Sequence, residues 1–537
     1  SQTDAIKKII LSGIQDKIKN MQAEDADAEN EYQQLLQKVG QLQSKIALGL
    51  DLTLGLRFDF AQYPTATFNQ LVFDELGIRT DNKLKSAILQ PRVQLSWDVN
   101  EKHKDYIRFG AGIFASDLNN YMAINNLYFD GNHTATVDVR SPNVPFPNFI
   151  DYRTNYASIP TLDAFKLPTI NYTGTDAKVP VVYKANLSYS HFFTDKFKAG
   201  ITGFATLGRN NYAYVDRNMV TNPFFTLANE DNRGVYVPLS TMPSNGAADW
   251  MQGRISNKLG RVLELNSQGK VNQFAMVLDA TYRYFRDGEI SASYTLNDTK
   301  DNTSFNGNVA NTSTLSLPVK DDPRNLSNMT YSDNHFRHKV VIYGTLPTFY
   351  GFNVGVRYSG IGGTRYSLLS GGNTNGDFVT ASNDLAYIFD INNANTPQNI
   401  KTGIQTILDN PNASQSIKDY IIKSSGKIAE RNGGINNFFG VVDVRISKKV
   451  KLDKKQFFEF TADIFNVANM INKDWGVNKS LGSQSLYALG TPATATSAAI
   501  PGFDSTTKQF NYRVNSAGLP TLSGDPFQIQ VGFKYGF

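Results

Sequence analysis

The chain contains no cysteine, which excludes a disulfide framework and any thiolate metal site. Excess charge of one sign is missing as well: 53 Lys and Arg stand against 48 Asp and Glu over 537 residues. No polybasic run is present, so nucleic acid is not an expected partner. No apolar stretch approaches the ~20 residues that a membrane-spanning helix needs. The amino terminus, beginning Ser1-Gln2-Thr3-Asp4, lacks the basic-then-apolar order of a signal peptide. The chain is therefore expected to be cytosolic, already processed, or a fragment.

What the chain has in quantity is alternation. From Ile46 to Phe60 every even position is apolar (Ile46, Leu48, Leu50, Leu52, Leu54, Leu56, Phe58, Phe60), and the odd positions are small or polar. A period of two predicts a strand with one greasy and one wet face. Globular strands average five or six residues, whereas a strand tilted across a bilayer needs about 9 to 11.

The pattern recurs at 89–99 and 107–113, 181–189 and 197–207, 274–284 and 290–296, 336–346 and 352–366, and 437–449 and 455–468, and last at 527–537. Twelve long strands result. Short turns near 100–104, 194–196, 286–288, 347–351 and 450–454 alternate strictly with connections tens of residues long. Outer-membrane barrels place short turns on the periplasmic side and long loops outside, and they have even strand counts. The expected fold is all-β: an antiparallel transmembrane β-barrel over 46–537, with outer-membrane lipid around it. A soluble sandwich or propeller also alternates, but strands of membrane length with one-sided loops weigh against it.

Residues 1–45 break the pattern. Ile6, Ile9, Ile10, Ile14, Ile18 and Met21 recur at helical spacing, and Tyr32, Leu35, Leu36, Val39 and Leu42 continue the stripe. An amphipathic helical segment on the periplasmic side is expected, either packing on itself or touching a partner.

Several stretches carry a family likeness: 52–59 (LTLGLRFD), 90–100 (QPRVQLSWDVN), 108–114 (RFGAGIF), 386–390 (AYIFD), 427–433 (KIAERNG), and 463–469 (DIFNVAN) with 472–476 (NKDWG). In order and spacing the chain resembles TonB-dependent outer-membrane receptors, and more narrowly the Oar-like branch common in Bacteroidetes. The resemblance implies a 22-stranded barrel closed by an amino-terminal plug and energised by the TonB complex. About twelve strands and no plug-like region depart from that pattern, so the chain reads as the carboxyl-terminal barrel portion of a larger receptor. The alternative is a plugless structural, adhesion or protein-export barrel, with a surface lipoprotein or secreted protein as its partner.

Site chemistry is sparse. The histidines are His103, His133, His191, His335 and His338, and none has metal-ligand spacing. His335 and His338 open a strand three apart and are expected to face opposite sides. Gly360, Gly362 and Gly363 continue a strand and do not form a phosphate loop. No catalytic, cofactor or metal residue is assigned, and the substrate site is unknown; a Ser/His/Asp hydrolase at the rim is the remaining enzymatic alternative. The loop 371–377 (GGNTNGD) is rich in oxygen donors of the kind calcium takes, though a solvated turn is the default. Loop aromatics Tyr121, Tyr128, Phe129, Phe146, Phe149, Tyr152, Phe224 and Phe225 are candidates for gripping a sugar or peptide, against a role in interface belts. Two short helices are expected at 398–409 and 414–430, with Ile404, Ile407, Ile417, Tyr420, Ile421 and Ile422 as apolar positions.

Overall fold

A computed structural model describes residues 42–47, 49–134, 148–159, 167–285, 287–304, 310, 317–379, 383–452, 456–493 and 498–537. One antiparallel ladder organises them. Its strands are β1 (Leu42–Ala47), β2 (Leu50–Gln62), β3 (Lys85–Asp98), β4 (Asp105–Ala115), β5 (Val181–Thr194), β6 (Phe197–Asp216), β7 (Val262–Arg283), β8 (Glu289–Asp301), β9 (His338–Thr345), β10 (Phe352–Gly362), β11 (Phe439–Lys451), β12 (Phe457–Phe465) and β13 (Gln528–Gly536). Each pairs with the next in chain order. Two short strands join at the side: Ile170–Thr173 runs parallel to the start of β7, and Thr330–Tyr331 pairs the end of β8.

All twelve long strands read from the alternation are present in the expected order, as β2 to β13. The first requires a correction, because the run 46–60 contains a turn. Gly49 adopts a left-handed φ of 73°, and Ala47 pairs Leu50, so residues 42–47 fold back as a separate strand. Only glycine fits there: an added Cβ would lie 2.2 Å from the carbonyl oxygen of Asp98. Residues 42–45, the end of the segment expected to be helical, are therefore strand, with Leu42 level with Leu54. The rest of that expectation, 1–41, lies outside the described residues, as do Arg286 and Phe146.

Register keeps the two faces separate. Trp97, Ile107, Tyr189, Ile201, Leu278, Tyr294 and Val340 are successive partners across β3 to β9, forming one apolar row. One residue along, Ser96, Arg108, Ser188 and Thr202 form a polar row on the other face. A slip of one residue would exchange the faces, so lipid on one side and water on the other fix the register. The apolar face has no protein cover: Phe60 is 66% exposed, Val531 79% and Phe533 61%, as expected where lipid supplies the contact.

β6 and β7 are twenty and twenty-two residues long, about twice what a bilayer requires. Their outer ends rise clear of it and become buried, with Tyr212 to Asp216 and Val262 to Leu265 largely covered by loops. Val72, Leu84, Leu118, Met122, Ile170 and Tyr172, from the loops after β2 and β4, pack near this stem. Farther along, the loops 217–261, 363–438 and 466–527 share a single apolar core. The helix α1 (Gln398–Asp409) turns Ile400, Ile404 and Ile407 into it, and α2 (Gln415–Ser424) turns Ile417, Tyr420 and Ile421. α2 is shorter than the expected 414–430. Gly426, at a φ of 74°, ends that segment, and Lys427–Ile428 pairs Tyr387–Ile388. Ile422 is 62% exposed and does not join the core.

Candidate functional site

Three features have the make-up of a functional surface: a charged wall on the polar face of the strands and, among the outer loops, a buried ionic knot and an exposed aromatic face. The wall follows from the alternation. On the polar faces of β9 to β12, Tyr343 stands opposite Arg357, Arg357 opposite Asp443, and Arg445 opposite Asp463. The Arg445–Asp463 ion pair measures 3.4 Å. Gly355 lies between Thr345 and Arg445 in this register and lines a hollow of about 300 Å³ with these charges. Exposed pairs of this kind contribute only ~0.2–1 kcal/mol each to stability. Their chemical capacity is to exchange partners with a polar occupant.

The knot joins the loop layer. Glu230 and Arg233, both fully buried, form an ion pair at 3.2 Å. Arg233 also donates to the carbonyls of Leu385, at 2.5 Å, and Lys320, at 3.1 Å. The hydroxyl of Tyr512 donates to Glu230 Oε1 at 2.8 Å. Burial pushes the Glu230 carboxyl up, and Arg233 opposes the shift. Four loops, in contacts that span up to 282 residues, thus meet on one buried pair.

Nearby, the loop 371–377 is not the solvated turn of the default expectation. Asn373, Thr374, Asn375 and Asp377 are all nearly or fully buried, and Phe378 and Val379, which follow them, pack in a cluster with Tyr236 and Trp250. Asp384 reaches back, and its Oδ2 accepts from the Thr374 amide at 2.6 Å, the Thr374 hydroxyl at 2.7 Å and the Asn375 amide at 3.2 Å. Sequence reasoning missed Glu230, Arg233, Asp384 and Tyr512, because each sits in an unremarkable turn or polar stretch. By contrast, the wall charges were available from the odd positions of the alternating strands.

The aromatic candidates divide. In the helix Asn120–Tyr128, Met122 is buried, while Tyr121 at 65% exposure and Tyr128 at 57% stand free, with exposed Ile124 between them. Phe149, Ile150 and Tyr156 continue this exposed apolar character in the same connection. Phe225 instead packs on Phe503, with ring centroids 6.1 Å apart, while Phe224 stays exposed.

The histidines act singly. His103 pairs with Asp98, His133 with Asp130 and His191 with Asp105, while His338 meets the Tyr294 hydroxyl at 2.7 Å. Among the described residues, no three His, Cys, Asp or Glu side chains gather to hold a metal, and no serine hydroxyl bonds a histidine ring. Gly360 and Gly362 lie in β10, as the strand reading requires.

His335 is buried before β9, and its Nδ1 accepts the Thr299 amide at 3.1 Å. Burial, then the Arg365 guanidinium, lowers its pKa from 6.5 to about 4, with Arg337 adding to the shift and Asp298 opposing it. A folded value below the unfolded one means that the contribution is complete above pH 6.5 and is lost as pH falls towards 4. Protease resistance of the outer loops should therefore weaken across that window, by the equivalent of about 3 kcal/mol. A His335→Gln variant should lose this component of the pH dependence; an unchanged profile would contradict it.

The family match agrees with the architecture. A family model described as the outer membrane beta barrel domain matches residues 40–500. The chain is similar to the solved FrpB iron transporter from Neisseria meningitidis, at 10% identity and a TM-score of 0.41, over 92% of this chain and 44% of that one. It is similar to the copper transporter OprC at 9% identity and a TM-score of 0.38, over 93% and 47% of the two chains. It is also similar to the outer membrane transporter YddB from Escherichia coli, at 10% identity and a TM-score of 0.39, over 92% and 52%. The chain thus spans about half the length of these transporters. No curated protein sequence matches it. With the membrane-length ladder, the one-sided loops and a family match over most of its length, the chain belongs to the outer membrane beta barrel domain family and is an outer-membrane protein.

Proposed function

We propose that this chain is the larger part of the barrel of a TonB-dependent receptor of the Oar-like type, which moves or docks a large substrate at the cell surface. One observation carries the reading: β1 and β13 end the ladder, and among the described residues neither pairs with the other or with a further strand on its outer edge. An open sheet edge inside a bilayer leaves backbone groups with no hydrogen-bond partner, each costing several kcal/mol. Further strands therefore belong between them, as the resemblance to a 22-stranded receptor implies. The charged inner wall supports the same reading, since a polar lumen suits a hydrated plug or cargo better than lipid.

In this reading energy comes from the TonB complex acting on a plug, and no covalent chemistry is performed. A second reading, a plugless adhesion or export barrel working with a surface lipoprotein or secreted protein, draws on the exposed Tyr121, Ile124, Tyr128, Phe149 and Ile150. That apolar face suits a macromolecular partner more than a small solute.

Intact-mass measurement of the protein purified from its own outer membrane, with sequencing of its amino terminus, separates the two. A chain longer by a plug and several strands, cross-linking to TonB in vivo, is the expected result. A mature amino terminus at Ser1, or substrate movement unaffected by loss of TonB, would contradict it.

A further inference from the structure

We propose that Asp377 and Asp384, together with side-chain oxygens of Asn373, Asn375, Asn383 and Ser370, bind a calcium ion that fastens the outer loop layer. The site lies in the connection between β10 and β11, and the inference is independent of whether the barrel is TonB-coupled.

The first ground is oxygen atoms that no protein donor meets. Asp384 Oδ1 is buried without a hydrogen-bond partner, although Oδ2 of the same carboxylate accepts three bonds. Asn383 Nδ2 donates to Asp377 Oδ2 at 3.1 Å, which sets the amide against that carboxylate, and Asn383 Oδ1 is left buried and unpartnered. The Ser370 amide donates to the Asp384 carbonyl at 2.7 Å, and the Ser370 hydroxyl beside it is likewise unpartnered. Each such orphan costs ~1–3 kcal/mol unless something electropositive meets it. Asn373 Oδ1 and Asn375 Oδ1 each accept one backbone amide and keep a second lone pair.

The second ground is charge. The Arg233 guanidinium is paired with Glu230 and bonded to two carbonyls. Among the described residues, no Lys or Arg hydrogen-bonds Asp377 or Asp384. Two fully buried carboxylates thus remain to be balanced, which is the charge of one dication.

The donor chemistry selects the ion. Only two carboxylates are available, so the remaining ligands are neutral amide and hydroxyl oxygens, with no histidine or thiol. Zinc prefers nitrogen and sulfur, and magnesium keeps several waters in a strict octahedron. Calcium accepts six to eight mixed oxygens in irregular geometry. An outward-facing loop meets extracellular calcium, for which dissociation constants of about 10⁻⁴–10⁻³ M are usual in secreted modules.

The test uses the full chain in detergent after chelator treatment. Terbium is titrated while luminescence sensitised by Trp250 is followed, because Trp250 packs with Phe378 and Val379 beside Asp377. Calcium is titrated by calorimetry. The expected result is one saturable site, with calcium displacing terbium at roughly 0.1–1 mM. The D377N/D384N variant should bind at least tenfold more weakly, and W250F should keep calcium affinity while losing the luminescence. No saturable binding at millimolar calcium would overturn the proposal. So would undiminished binding in a D377N/D384N protein that keeps the heat-modifiable gel mobility of a folded barrel. Should that variant lose the mobility, W250F decides: luminescence that survives in it would place the site elsewhere and overturn the proposal.

Discussion

Replacing Arg233 by methionine is expected to open the outer loop layer while leaving the barrel folded. Arg233 is fully buried and holds Glu230, the Leu385 carbonyl and the Lys320 carbonyl. Methionine fills part of the volume but leaves the Glu230 carboxylate without its counter-charge in a dry site. Breaking one side of a buried ion pair costs about 3–5 kcal/mol. That exceeds what any exposed pair on the inner wall contributes, so the effect should be local and large. Hydrogen exchange should show faster opening of 225–240, 383–390 and 510–514 together, because all three meet on this pair. Exchange in β5 to β8 should stay slow, and heat-modifiable gel mobility should be kept. Combining Arg233→Met with Glu230→Gln should restore part of the loss, since the stranded charge is then gone. Unchanged loop exchange in the single variant would mean that the apolar core around Leu227, Tyr487 and Tyr512 holds the layer unaided.

The second large effect is expected in the membrane. Leu278 lies on the apolar row of β7, between Ile201 and Tyr294, midway along the bilayer-length part of the strand. Leu278→Arg puts a guanidinium into hydrocarbon at a cost of ~2–4 kcal/mol near the midplane. Thr202→Arg, on the neighbouring strand but on the polar face, should be tolerated. Folding yield into vesicles measured against urea separates the two. Equal losses would contradict the assignment of faces, and so would a larger loss at Thr202.

The difference in legibility between barrel and loops has a physical origin. A strand wetted on one side and greased on the other writes its orientation at every residue, so β2 to β13 are visible in the order of side chains alone. Where that record failed, at Ile46 to Phe60, the alternation of residue types runs unbroken across Gly49, so composition alone does not mark the turn at which the chain reverses. The loop layer is written differently. Its contacts join Arg233 to Leu385 and Tyr512 to Glu230, at separations of 152 and 282 residues, and no local pattern encodes such meetings. The loop 371–377 shows the consequence. Its Asn, Thr and Asp composition suits a solvated turn, yet it is buried, and the Tyr236 amide of another loop donates to the Asn375 carbonyl at 2.7 Å. The flanking Leu368, Leu369, Phe378 and Val379 were the available sign, since a polar loop bracketed by apolar pairs tends to be carried into a core.

Because the chain has no cysteine, any single introduced thiol is a unique reporter. The most direct test of the membrane assignment places one at each of Thr53, Leu54, Leu56, Arg57 and Phe58 in β2, and measures labelling by a charged maleimide in intact outer membranes. Thr53→Cys and Arg57→Cys should react, whereas Leu54→Cys, Leu56→Cys and Phe58→Cys should stay protected until detergent replaces the lipid. Uniform reactivity along the strand, or protection of the odd positions with labelling of the even ones, would show that this face does not meet a bilayer.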